Sequence, residues 1–163
     1  MVPEEITESP TVAGQLVAAL LGRTETVATA ESLTGGLLAG AITAAPGASA
    51  VYVGGVVSYA TRAKEELLAV PAELVAEEGV VSAACAESMA RGVRRLLGTV
   101  YGVSTTGVAG PETQEGKPVG TVYVGLATAA GSWAVELDLD GDRAGIREAT
   151  VEAALAELLR ALG

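Results

Sequence analysis

Two of the ten basic residues are lysines, Lys64 and Lys117; the other eight are arginines, and histidine is absent. Lysine and arginine differ in titration: a desolvated lysine can lose its proton and act as a base, whereas guanidinium stays charged. Without histidine, acid–base chemistry near neutral pH falls to Lys64, Lys117, a carboxylate, a tyrosine or the lone Cys85. Lys64 follows the pair Ser58-Tyr59, and Ser32 stands upstream in a glycine-rich turn. That combination points to an enzyme. A coding bias toward arginine would give the same lysine count, so the surrounding segments must carry the argument.

Four segments bear chemistry. In Ala30-Glu31-Ser32-Leu33-Thr34-Gly35-Gly36, a β-prone run leads into a small-residue helix, which lets Ser32 project at the carboxyl end of a sheet. The amides of Thr34, Gly35 and Gly36 would open the helix, where free N–H groups can hold a phosphate or a developing oxyanion. A capped turn without a ligand is the plainer alternative. The second segment, Gly54 to Lys64, places Tyr59 at a strand end and Lys64 five residues later. Short-chain dehydrogenases space these residues four apart, and no G-x-G-x-x-G follows the first strand, so a nicotinamide reductase is disfavoured. An edge tyrosine and a surface lysine are the alternative.

The third segment, Thr105-Thr106-Gly107-Val108-Ala109-Gly110-Pro111 continuing to Lys117, puts hydroxyls and amides at a sheet edge. Such an edge suits ribose or phosphate; a long hairpin loop would read the same way. In the fourth, Asp142-Arg143 with Arg147 one turn on sets two guanidinium groups at a helix start, suited to phosphate or to a solvated face.

The elements that must position these groups follow from pattern. Val12, Leu16 and Leu20 mark a first helix ending near Gly22, followed by a strand over Thr24–Ala30 and a helix over Leu37–Ala45. Val51–Tyr59 reads as a strand, Ala63–Leu68 as a short helix, and Pro71 as the first residue of another. Ser82 caps a long helix to Leu97 with Met89, Val93, Leu96 and Leu97 on one face and Gly98 as its stop. Strands at Val100–Thr106, Val119–Thr128 and Trp133–Leu139 follow, the last two joined across Ala129–Ser132. A final helix from Arg143 buries Ile146, Val151, Leu155, Leu158, Leu159 and Leu162. Interleaved helices and strands give an α/β fold, a single three-layer α/β/α domain with a mixed β-sheet over residues 1–163.

Composition narrows the function further. The core must be built from Val, Leu, Ala and Ile, because Phe is absent and Trp133 is the one tryptophan. The 21 glycines, nearly twice the average share, cluster in a few places and point to tight turns and close backbone approach. A net charge of -10 argues against nucleic acid as a partner. A small anion can still be held by amides and a few local cations. No apolar run approaches the ~20 residues of a membrane span, and the acidic Met1–Pro10 segment is no signal peptide. One cysteine and no histidine disfavour a zinc site and an internal disulfide, and Cys85 reads as a small buried hydrophobe. The balance fits a cytoplasmic protein.

Taken in order, the segments resemble the CinA C-terminal domain family. The likeness rests on the Ala30–Gly36 turn, Gly54-Gly55-Val56-Val57-Ser58-Tyr59 followed by Lys64, the Val81–Gly98 helix, Thr106-Gly107-Val108-Ala109-Gly110-Pro111, Lys117–Tyr123, and Gly141-Asp142-Arg143 with Arg147. It covers nearly the whole chain. Characterised members are nicotinamide mononucleotide deamidases, so the resemblance implies an amidohydrolase in pyridine nucleotide salvage. It implies Ser32 as nucleophile, Lys64 as base, Tyr59 in support, and no cofactor or metal. The family's ligand-contacting loops fall on Thr34, Gly35 and Gly36, on Thr106, Gly107, Ala109 and Gly110, and on Arg143 and Arg147. It also implies a homo-oligomer, dimer or larger.

Departures are Leu33 for a common cysteine, Thr61 for a common asparagine, and Glu112 to Glu115 in place of a glycine-richer loop. Longer relatives carry an N-terminal domain that this chain lacks, so that domain's activity is not expected. A non-catalytic mononucleotide-binding module, or an amidohydrolase acting on a related phosphoribosyl amide, are the alternatives.

Overall fold

The computed structural model describes residues 10–163. The reading of Met1–Pro10 therefore lies, but for Pro10, outside the described residues. Helix α1, Val12–Arg23, starts where the Thr11 hydroxyl accepts the Gly14 amide, and it buries Ala13, Leu16, Val17 and Leu20. Thr24 does not begin a strand as the sequence suggested. It closes α1 in the left-handed conformation, its amide returned to the Leu20 and Leu21 carbonyls, and strand β1 runs Val27–Glu31.

Helix α2 (Leu37–Thr43) leads to edge strand β2 (Tyr52–Val57), then to α3 (Thr61–Leu68) and α4 (Ala72–Glu78). Pro71 sits one residue ahead of α4, as its cap, and not inside it. Helix α5 spans Ala83–Leu97, with the Ser82 hydroxyl accepting the Cys85 amide and Gly98 ending it in the left-handed region. Strands β3 (Tyr101–Gly107), β4 (Thr121–Thr128) and β5 (Gly131–Asp138) precede helix α6, Arg143–Ala161. The β4–β5 turn is tighter than the sequence implied: Thr128 pairs with Gly131, so only Ala129 and Ala130 lie between the strands.

The sheet order is β2-β1-β3-β4-β5, with β1 parallel to β2 and β3, and β4 antiparallel to both its neighbours. This is the three-layer α/β/α domain with a mixed sheet that the pattern predicts. On one face α1, α2 and α6 pack Leu16, Leu20, Leu38, Ile42, Leu155 and Leu158 against Val103, Val124 and Leu126. On the other, Leu68, Cys85, Met89 and Val93 cover Ala28 and Ala30. The aromatic-poor core works because helix and sheet approach closely. A Cβ on Gly102 or Gly125 would lie 2.2 Å from the Ala90 or Ala86 carbonyl of α5, so larger residues there would lift the helix off the sheet. Leu96, expected on the buried face of α5, is 53% exposed; Leu97 is the residue that reaches the sheet, over Gly54.

The topology fixes where a site can form. The chain leaves β1 for β2 on one side and later returns to β3 on the other, so a crevice opens beyond the carboxyl ends of β1 and β3. Glu31 is in register with Val57 on β2 and Thr105 on β3. The residues that follow these three, Ser32, Ser58 and Thr106, therefore emerge together.

Candidate active site

At that crevice the Lys64 Nζ lies 2.9 Å from the Ser32 Oγ. Both residues line a cavity of about 580 Å³. Ser32 is held by its backbone: its amide donates to the Thr105 carbonyl at 3.0 Å, and its carbonyl accepts the Gly35 amide at 3.1 Å. Lys64 comes from the first turn of α3, and its side chain runs inward until only 1% of the residue is exposed. The chain between β2 and α3 turns so that two carbonyls meet the amine, Ser58 O at 2.7 Å and Tyr59 O at 3.5 Å.

Burial lowers the Lys64 pKa below the ordinary lysine value, and the weaker influence of Cys85 and Glu115 acts the other way. A neutral amine has two N–H groups and one lone pair. Carbonyls can only accept, so in the neutral form the Ser58 and Tyr59 carbonyls would take the two N–H groups and the lone pair would face the Ser32 hydroxyl. Cys85 beneath the site is fully buried, and burial pushes its thiol up to about 11. It is a protonated, packed side chain at neutral pH.

The amides around Ser32 are distributed differently from the sequence expectation. Helix α2 opens at Leu37, whose amide donates to the Thr34 carbonyl at 2.9 Å, and the buried Glu31 carboxylate takes the next two, Leu38 N at 2.8 Å and Ala39 N at 3.2 Å. Glu31 also accepts the Thr34 hydroxyl at 2.6 Å, and Thr34 in turn meets Thr105 at 2.8 Å. A carboxylate at a helix N-terminus already satisfies what an anionic ligand would. Among the described residues, the amides of Leu33, Thr34 and Gly36 donate to no protein acceptor, and of these only Leu33 lines the cavity.

Of the residues expected to contact ligand, Thr106, Gly107, Ala109, Gly110 and Arg143 line the cavity with Ser32, Tyr59 and Lys64. Thr34, Gly35, Gly36 and Arg147 do not. Thr34 is fully buried, with its hydroxyl committed as described. Arg147 donates from Nε to the Leu33 carbonyl at 2.8 Å and from a terminal nitrogen to Thr34 O at 3.4 Å. It braces the Ser32 turn from behind. Tyr59 is 64% exposed, and its hydroxyl accepts from Arg143 at 3.2 Å. Its part toward the lysine is played by its carbonyl, not by its phenol. Arg143 also donates to the Gly110 carbonyl at 2.6 Å, so the guanidinium ties the two rims of the cavity together.

Sequence reasoning missed the far wall. Val80 and Val81 line the cavity, and the Thr106 hydroxyl donates to the Val80 carbonyl at 2.7 Å. Their amides donate to the Glu115 carboxylate at 3.0 and 2.8 Å, while the Lys117 ammonium donates to the Val81 carbonyl. The acidic loop is thus anchored against the segment that leads into α5. Its unusual glutamate has a structural role that no local pattern could reveal. Glu31 was legible only as a member of the turn, and its capping of α2 had no sequence signal beyond an acid before a helix.

Residues 9–162 match the model of the CinA C-terminal domain. The chain belongs to the CinA C-terminal domain family. A CinA-like protein of Frankia casuarinae is 52% identical over 142 residues, covering 87% of this chain and 33% of that protein. One from Synechococcus is 44% identical over 158 residues, covering 95% and 38% respectively. The chain thus spans about a third of the length of the curated relatives it matches. Among solved structures, a CinA superfamily protein from Klebsiella pneumoniae superposes with a TM-score of 0.90 at 34% identity, covering 93% of this chain and 95% of that one. One from Escherichia coli gives 0.89 at 29% identity, covering 96% and 94%. In this CinA C-terminal domain no described helix is long and apolar enough to cross a membrane. Among the described residues no group of three or more His, Cys, Asp or Glu is placed to hold a metal ion.

Proposed function

We propose that this CinA C-terminal domain is an amidohydrolase that converts nicotinamide mononucleotide to nicotinate mononucleotide and ammonia, using Ser32 as nucleophile and Lys64 as base. The observation that carries the reading is the amine–hydroxyl pair at 2.9 Å, with both remaining lysine N–H groups already assigned to carbonyls. Ser32 Oγ attacks the carboxamide carbon as its proton passes to Lys64 Nζ. The tetrahedral intermediate collapses by breaking the C–N bond, and Lys64 returns the proton to the departing ammonia. Water then attacks the ester, giving a proton to Lys64 that returns to Ser32 Oγ as the acid leaves. The Leu33 amide, next to Ser32 and without a protein acceptor among the described residues, would serve as an oxyanion donor, a role worth about 3 kcal/mol.

The size of the cavity and the Arg143 guanidinium at its rim suit a substrate with a nucleotide-sized body and a phosphate. The reading carries with it a cytoplasmic setting, a homo-oligomeric assembly and no cofactor. Its test is direct: incubate purified protein with nicotinamide mononucleotide, measure ammonia and nicotinate mononucleotide, and repeat with Ser32→Ala. Equal release of both products in wild type and none in the variant is expected. Binding without ammonia would instead favour the mononucleotide-binding module, and turnover only of other phosphoribosyl amides would reassign the substrate.

A further inference from the structure

A second cavity, of about 420 Å³, lies at the opposite edge of the sheet. Gly102 at the start of β3 pairs with Ala127 at the end of β4, whereas Gly107, at the Ser32 edge, pairs with Val122. Arg91, Arg94 and Arg95, all from the last two turns of α5, line this second cavity together with Gly98 at the end of that helix and Thr128 and Gly131 of the β4–β5 hairpin. Among the described residues no carboxylate lines it. Three of eight arginines converge on one concavity in a chain with 20 acidic and ten basic residues.

We infer that this cavity binds a small phosphate-bearing anion. Two of the guanidinium groups are already oriented by single bonds: Arg91 donates to the Ser132 hydroxyl at 2.7 Å, and Arg94 Nε donates to the Val100 carbonyl at 2.9 Å. Each guanidinium has five N–H donors, so most remain free in a fixed plane, the arrangement that favours bidentate contact with phosphate. The neighbouring acid is Glu87, whose pairing with Arg91 is loose at 3.5 Å. Arg95 is exposed and makes no ion pair or hydrogen bond among the described residues. The Thr128 hydroxyl accepts the Ala130 amide at 3.1 Å, leaving its proton to donate.

Cations near a helix C-terminus offset its dipole, and this is a sufficient reason for one arginine. It does not require three around a cavity. A general charge of -10 repels extended polyanions such as nucleic acid or an acidic membrane, while a local pocket of three guanidinium groups still attracts a compact one. The ligand class is therefore a small molecule carrying phosphate or diphosphate.

The test is calorimetric titration of the full chain with inorganic pyrophosphate at fixed ionic strength. One site tighter than about 1 mM is expected. Combined Arg91→Ser and Arg95→Ser substitution should weaken it by at least about tenfold, and Arg143→Ser, in the Ser32 cavity, by less than about twofold. Arg95→Ser alone disturbs no packing and should weaken binding with an unchanged melting temperature. No binding, or binding lost with Arg143 and kept without Arg91 and Arg95, overturns the inference.

Discussion

Arg147 reaches across 114 residues of sequence to donate its Nε proton to the Leu33 carbonyl at 2.8 Å. Helix α6 thereby fixes the turn that carries Ser32, although the guanidinium does not enter the cavity. Arg147→Ala should lower kcat about 100-fold through misplacement of Ser32, with KM little changed. Steady-state kinetics on nicotinamide mononucleotide check this. A raised KM with kcat retained would mean that Arg147 holds substrate after all.

Lys64→Arg should inactivate as thoroughly as Lys64→Ala, because guanidinium cannot accept the Ser32 proton at working pH. A loss of at least about 1,000-fold in kcat/KM is expected for both, the scale seen when a nucleophile loses its base. Substantial activity in the Arg variant would refute proton abstraction by this side chain.

Burial depresses the Lys64 pKa. Activity should therefore rise with pH along a single acid limb whose midpoint lies below the ordinary lysine value of about 10.4. The same shift affects stability. Between the folded pKa and the unfolded one, the unfolded chain binds the extra proton, so stability rises with pH across that window and levels off above it. Paired pH–rate and pH–denaturation profiles test both. A rate that does not vary with pH over this range would argue against a titrating lysine.

Cys85 offers a negative control. With burial pushing its thiol to about 11 and no exposed surface, iodoacetamide should leave the native protein active at neutral pH. Cys85→Ala should retain turnover while losing about 1 kcal/mol of stability to the small cavity created. Rapid inactivation by the reagent would place the thiol at the chemistry.

Glu31→Ala removes one carboxylate that serves two helix amides and a buried hydroxyl. A loss of about 2–4 kcal/mol in urea unfolding is expected, since the deleted partner leaves these donors buried. Activity should fall as well, because the Ser32 turn is built on Thr34 and α2. A neutral effect on stability would show that water replaces the carboxylate.

Much of the site was legible because its chemistry is compressed into short segments. Ser32, Tyr59 and Lys64 stood out by residue type, and the Thr106–Gly110 loop by its glycines. The placements that the sequence did not reveal share a cause. Thr34 and Arg147 have the chemistry of ligand contacts, but their partners lie 71 to 114 residues away, at Thr105 and Leu33. Local pattern cannot tell a guanidinium that faces a cavity from one that braces the loop behind it. Leu96 was misplaced for a similar reason: helical periodicity gives its direction, and only the extent of the sheet decides what lies there.

The order and period of apolar residues determined the layers of this protein by themselves, since burying each face leaves few arrangements. The absence of histidine likewise left lysine, a carboxylate, a tyrosine or the lone cysteine as the groups available for acid–base chemistry. What the sequence could not supply was the register that brings the ends of β1, β2 and β3 level. Strand pairing between distant segments sets that register, and it places the Ser58 and Tyr59 carbonyls and the Ser32 hydroxyl around one amine. The surrounding protein then buries that amine and lowers its pKa below the ordinary lysine value.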